Sequence, residues 1–117
     1  MRTSASRLRV LVFNWHEAYI CLFAHTHHHF SVVPPRRHPH KRWNFGSRPL
    51  PANAEEVTWE QAQADLRQGR YDLVLCLALF DLHTVQNWEV PRLFVMLNMV
   101  GTDTALSGAA KEAFVER

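Results

Sequence analysis

Four consecutive apolar residues, Val10-Leu11-Val12-Phe13, are followed at once by the polar and aromatic group Asn14-Trp15-His16-Glu17. The run is too short for a helix, and its β-branched and aromatic residues suit a strand buried on both faces, as in a parallel sheet. In open α/β sheets ligands gather beyond the carboxyl ends of the strands. Asn14 to Glu17 is therefore the first place to look for chemistry. A second run, Leu73-Val-Leu-Cys-Leu77, is the most hydrophobic segment of the chain and reads as another central strand.

The segments between these runs alternate in kind. Glu17 to His25 carries Ala18, Ile20, Cys21, Leu22, Phe23 and Ala24, a helix with a broad apolar face. His27 stands where a helix-ending glycine is usual, and histidine tolerates the left-handed conformation better than most residues. Phe30 to Val33 is a second strand, closed by Pro34-Pro35, and Glu56-Val57 a short edge strand. Thr58 looks like an N-cap with Gln61 in the capping-box position, and Gly69 ends the helix that follows. Phe80 to Trp88 is a short helix or turn. Pro91 opens a last strand, Leu93 to Leu97, and Gly101-Thr102 precede a final helix reaching Arg117.

Crossover connections in such an order are right-handed in nearly all cases. The expectation is one α/β domain over 8–117 behind a flexible tail at 1–7. It is a Rossmann-like three-layer sandwich: a parallel sheet of four to five strands in the order 3-2-1-4-5, with helices on both faces. The switch point falls between the strand ending at Asn14 and the one ending near Ala78.

At 117 residues and 47% hydrophobic content, a single domain with a real core is the expectation. Net charge is only +2 but unevenly placed: residues 1–54 hold eight Lys/Arg and one acid (+7), residues 55–117 five Lys/Arg and ten acids (−5). A basic face that meets an anionic partner follows. Cys21 and Cys76 sit in apolar runs and read as small buried hydrophobes, which suits a reducing, cytoplasmic compartment. The longest apolar run, Leu73 to Phe80, is far short of a membrane span.

Residues 34–54 differ from the rest. Pro34, Pro35, Pro39, Pro49 and Pro51 exclude a regular helix, and Arg36, Arg37, Lys41, Arg42 and Arg48 surround Trp43 and Phe45. This is a long basic loop, expected to order on binding, with Arg36, Arg37, Lys41, Arg42 and Trp43 as an anion-binding set. The rim of the sheet supplies the acceptor- or ligand-binding candidates Asn14, Trp15, His16, Glu17, Asp81, His83 and Asn98. His16 is the candidate catalytic base, and Glu17 is also favoured as a first-turn acid by the helix dipole. No Gly-x-Gly-x-x-Gly follows the first strand and no phosphate loop exists, so dinucleotide and ATP binding of those kinds are set aside. His25, His27, His28, His29, His38 and His40 invite a metal hypothesis. Neighbouring histidines entering a strand point to opposite faces, however, and read as a helix-to-strand turn; no metal is assigned.

The segments Arg9 to Glu17, His28 to Val33, Thr58 to Cys76 and Pro91 to Asn98 together resemble the N-terminal half of a GT-B-fold, retaining, nucleotide-sugar-dependent glycosyltransferase. The chain departs from that pattern in having Asn14-Trp15-His16 where many such enzymes carry glycines, and Asn98 where a histidine is frequent. The resemblance implies an acceptor-binding half, inactive alone, with no cofactor in this chain. The nucleotide-sugar donor would sit in a C-terminal donor-binding domain. It further implies a saccharide or phosphorylated lipid acceptor, peripheral contact with an anionic membrane, and no specific nucleic acid. A non-catalytic module, flavodoxin- or receiver-like or simply anion-binding, is the alternative.

Overall fold

The computed structural model describes residues 7–95. Its elements run β1 (Arg9–Phe13), α1 (Glu17–Ala24), β2 (His29–Val33), β3 (Ala54–Glu56), α2 (Trp59–Arg67), β4 (Leu73–Cys76), α3 (Leu79–Thr84) and β5 (Arg92–Phe94). The five strands form one parallel sheet in the order β3-β2-β1-β4-β5, the Rossmann-like arrangement expected from the sequence. Val12 of β1 lies level with Val32 of β2 and Leu75 of β4.

Strand alternation divides the core. Leu11 and Phe13 point to one face, with Val74, Cys76, Ala62 and Leu66 of α2, and Val85 after α3. Val10 and Val12 point to the other, with Ile20 of α1, Phe30, Leu75, Leu77 and Trp43. Helices thus cover both faces. All four apolar residues of β1 are at most 2% exposed, and each such side chain contributes roughly 1.5–3 kcal/mol of burial. This strand is the axis of the domain.

Local chemistry explains the ends. His27 closes the α1–β2 turn at φ 66°, the left-handed position foreseen for it, and Gly69 takes φ 66° after α2. Thr58 Oγ1 accepts from Gln61 N at 3.0 Å, as an N-cap should. The reciprocal half of the capping box does not form, because Gln61 Nε2 donates to Asp65 Oδ1 instead, at 3.1 Å. β3 begins at Ala54 rather than Glu56, since Phe30 N bonds Asn53 O and fixes the register earlier. β5 starts one residue before the expected Leu93, and Val95 N continues its ladder to Cys76 O. Met96, Leu97, Asn98 and the expected final helix lie outside the described residues.

Candidate functional site

The long loop, residues 34–53, is tied to the sheet by its own backbone. A turn closed by His38 N to Pro35 O (2.9 Å) runs into a second, closed by Lys41 N to His38 O (3.0 Å). Pro39, in the second position of that second turn, presets its φ. Farther on, Asn44 Oδ1 accepts from Gly46 N and Asn44 O from Ser47 N, an Asx turn with a backbone closure. Two carboxylates, one at the end of β3 and one at the start of α1, then hold consecutive loop amides: Glu56 Oε2 takes Trp43 N at 2.7 Å, and Glu17 Oε2 takes Asn44 N at 2.9 Å.

Trp43 is the main correction to the expected anion-binding set. It is 3% exposed, packs in the α1-side core and donates Nε1–H to Arg48 O at 3.0 Å. Its ring offers no surface for stacking, because burying the indole against Val10, Val12, Ile20 and Phe30 removes apolar area of both from water. Phe45, by contrast, is 62% exposed. A loop expected to order on binding is already anchored through Trp43.

Beyond the carboxyl ends of β1 and β2 lies a cleft of about 680 Å³. Trp15, Pro35 and Pro39 give it apolar walls, and Arg37, His38 and Lys41 bring polar heads into it. Lys41 Nζ donates to Asn14 O at 2.6 Å and approaches Asn14 Oδ1 at 3.5 Å, which fixes the amine at the end of β1. Burial lowers the Lys41 pKa, against the opposing pull of the Glu17 charge. The Arg37 guanidinium lies 5.8 Å from the centre of the Phe80 ring of α3. The His38 ring meets Trp15 edge-on at 5.9 Å.

The remaining strand-end candidates take other parts. Asn14 is buried, and its Nδ2 donates to Glu17 Oε2 at 3.2 Å. Glu17 is itself buried, so beyond being a first-turn acid of α1 it clasps the loop. His16 is the N-cap residue of α1 with its ring edge-on to Tyr19; burial first, then the Lys41 charge, lowers its pKa.

Asp81 is 1% exposed and its carboxylate is committed: Oδ1 accepts from Trp15 Nε1 at 2.7 Å, and Oδ2 from Leu77 N and Ala78 N at 3.0 and 3.2 Å. It braces the switch point between β1 and β4 and holds the wall of the cleft. His83 is exposed and lies by Phe80 on α3, away from the cleft lining. Asn98 is outside the described residues.

The structure thus gathers Asn14, Trp15, Arg37 and Lys41 into one cleft, and adds His38 and His40, which sequence reasoning weighed only as metal ligands. The signal for them was their position on either side of Pro39 within the basic run. His28 Nδ1 accepts from Leu8 N, and His29 Nε2 lies 3.4 Å from Glu55. Among the described residues no group of three or more His, Cys, Asp or Glu is placed to hold a metal ion, and no helix is long and apolar enough to cross a membrane. Comparison with known protein families, with curated proteins and with solved structures finds no match for this chain.

Proposed function

We propose that this chain is an anion-binding α/β module that takes a phosphate or a chemically similar group in the cleft between Trp15 and the 35–41 turns. One observation carries it: among the described residues Arg37 and Lys41 line that cleft together and no acid does. Arg37 offers a forked guanidinium to the oxygens of an anion, and Lys41 a point charge held in place by Asn14. Glu17, behind Lys41 and outside the lining, offsets part of that charge, so Arg37 carries the larger share. The apolar walls favour an anion attached to something larger than itself.

The test is calorimetric titration of the chain with inorganic phosphate at fixed pH and ionic strength. Each charge-assisted contact is worth about 1.5–3 kcal/mol, so Arg37→Ala/Lys41→Ala should weaken binding by at least about tenfold. Arg36→Ala/Arg42→Ala should leave it within about twofold. Equal losses in the two double variants would mean that loop charge in general, and not the cleft, binds the anion.

A narrower form of the same reading is the acceptor-side half of a GT-B glycosyltransferase. A 3-2-1-4-5 parallel sheet with its cleft at the carboxyl ends supports it. The acceptor would then be a saccharide or a phosphorylated lipid, and the nucleotide-sugar donor would belong to a separate domain. This chain alone should therefore bind a panel of nucleotide-sugars weakly or not at all. A micromolar dissociation constant, about 8 kcal/mol, would contradict that narrower form.

A further inference from the structure

The turns at 35–41 divide the basic run. Arg37 and Lys41 face the cleft described above, whereas Arg36 and Arg42 line a second cleft of about 600 Å³ on the other side. Pro39 and His40 line both, so the two are neighbours across one ridge of chain. Each volume lies in the range of small-molecule sites, roughly 300–1,000 Å³, and a bare phosphate would leave most of either unfilled.

The clefts differ in charge. The second sets Arg36 and Arg42 against Glu56 and Glu60 in its lining, two cations and two acids. Arg36 lies over the Trp59 ring at 5.0 Å, which steadies its guanidinium. Glu56 is fixed by Trp43 N and meets Arg42 at 3.4 Å. A wall that is balanced in charge gives an ion no net attraction, yet it presents donors and acceptors side by side. A hydroxyl is both donor and acceptor. It is the group such a wall suits best.

We infer that the second cleft receives the uncharged, hydroxyl-bearing part of the ligand whose anionic group lies between Arg37 and Lys41, and that the ligand is a phosphorylated polyol. This rests on the anion-binding reading above. The same chemistry is found in a soluble hexose phosphate and in the inositol headgroup of a lipid, and the two are separable by experiment.

The full chain is titrated with inorganic phosphate and with glucose 1-phosphate, and its binding is compared on phosphatidylcholine vesicles carrying equal fractions of phosphatidylinositol or phosphatidylserine. The expected result is a preference of about tenfold or more, the size of one added hydrogen-bonding group, for glucose 1-phosphate over phosphate or for phosphatidylinositol over phosphatidylserine. The arm that shows it identifies the source. Arg42→Ala/Glu60→Ala, both exposed positions, should abolish the preference while leaving phosphate affinity unchanged. Arg37→Ala/Lys41→Ala should weaken every anionic ligand together. Phosphate binding with no preference in either arm overturns the polyol subsite and leaves the anion site standing. A wild-type chain that binds no anion at all sinks both.

Discussion

Replacing Asp81 by alanine tests how the switch point is held. The carboxylate is 1% exposed, and its partners include the donors Trp15 Nε1, Leu77 N and Ala78 N. Water cannot replace it at Leu77 N, where the bond is buried, and replaces it only in part at the other two. Bonds to a charged acceptor are worth about 1.5–3 kcal/mol each, and a buried donor left bare costs about 1–3 kcal/mol. Because the three share one acceptor their losses do not simply add, and about 3–5 kcal/mol is the expected total. For a domain of this size that lowers the melting temperature by roughly 12–25 °C. Urea unfolding followed by circular dichroism measures the change. Trp15 should also become more accessible to a neutral quencher such as acrylamide. A loss below about 1 kcal/mol with an unchanged denaturant slope would refute the claim that Asp81 holds β1, β4 and the cleft wall together.

Three further outcomes follow from named contacts. Trp43→Ala should cost about 3–5 kcal/mol, the usual range for a buried tryptophan, and should expose the loop to limited proteolysis; a cost near zero would return the loop to a solvated connector. Burial, with the Asp81 charge adding to it, pushes the Cys76 thiol up to about 12. A thiol reagent at about pH 8 should therefore modify half-buried Cys21 first in the native chain and reach Cys76 only in denaturant, and rapid labelling of both would contradict the buried β4. The lowered His16 pKa means that the unfolded chain takes up its proton before the folded one as pH falls below about 6.5. Stability should then drop on acidification through that window, and the slope between about pH 7.5 and about pH 5 should be shallower in His16→Gln. Identical slopes would mean that His16 is not held as the structure has it.

How much of this was legible depended on the distance over which each residue acts. Val10 to Phe13 and Leu73 to Leu77 announce buried parallel strands because both faces are apolar along a few adjacent positions. His27 and Thr58 act within three or four residues of themselves, and both did as expected. Gln61 had two partners within reach, the helix start and Asp65, and local pattern does not say which wins. Trp43 was misread because basic neighbours made it look solvated. Its burial depends on an apolar face built by Val10, Val12, Ile20 and Phe30, all more than ten residues earlier. Glu17 and Asp81 were visible as acids near strand ends, but not as clasps. Their donors arrive from Asn44, 27 residues on, and from Trp15, 66 residues back.

The most direct test of the central claim is a phosphate titration of the uniformly ¹⁵N-labelled chain, at constant pH and with ionic strength held by chloride. Saturable shifts are expected of the Trp15 indole N–H and of the backbone amides of Arg37, His38, His40 and Lys41, while the buried Trp43 indole and Tyr71 amide stay in place. Saturation at the same sites should be lost in Arg37→Ala/Lys41→Ala. No shift at millimolar phosphate, or shifts spread over every basic residue of the loop and termini alike, would contradict it.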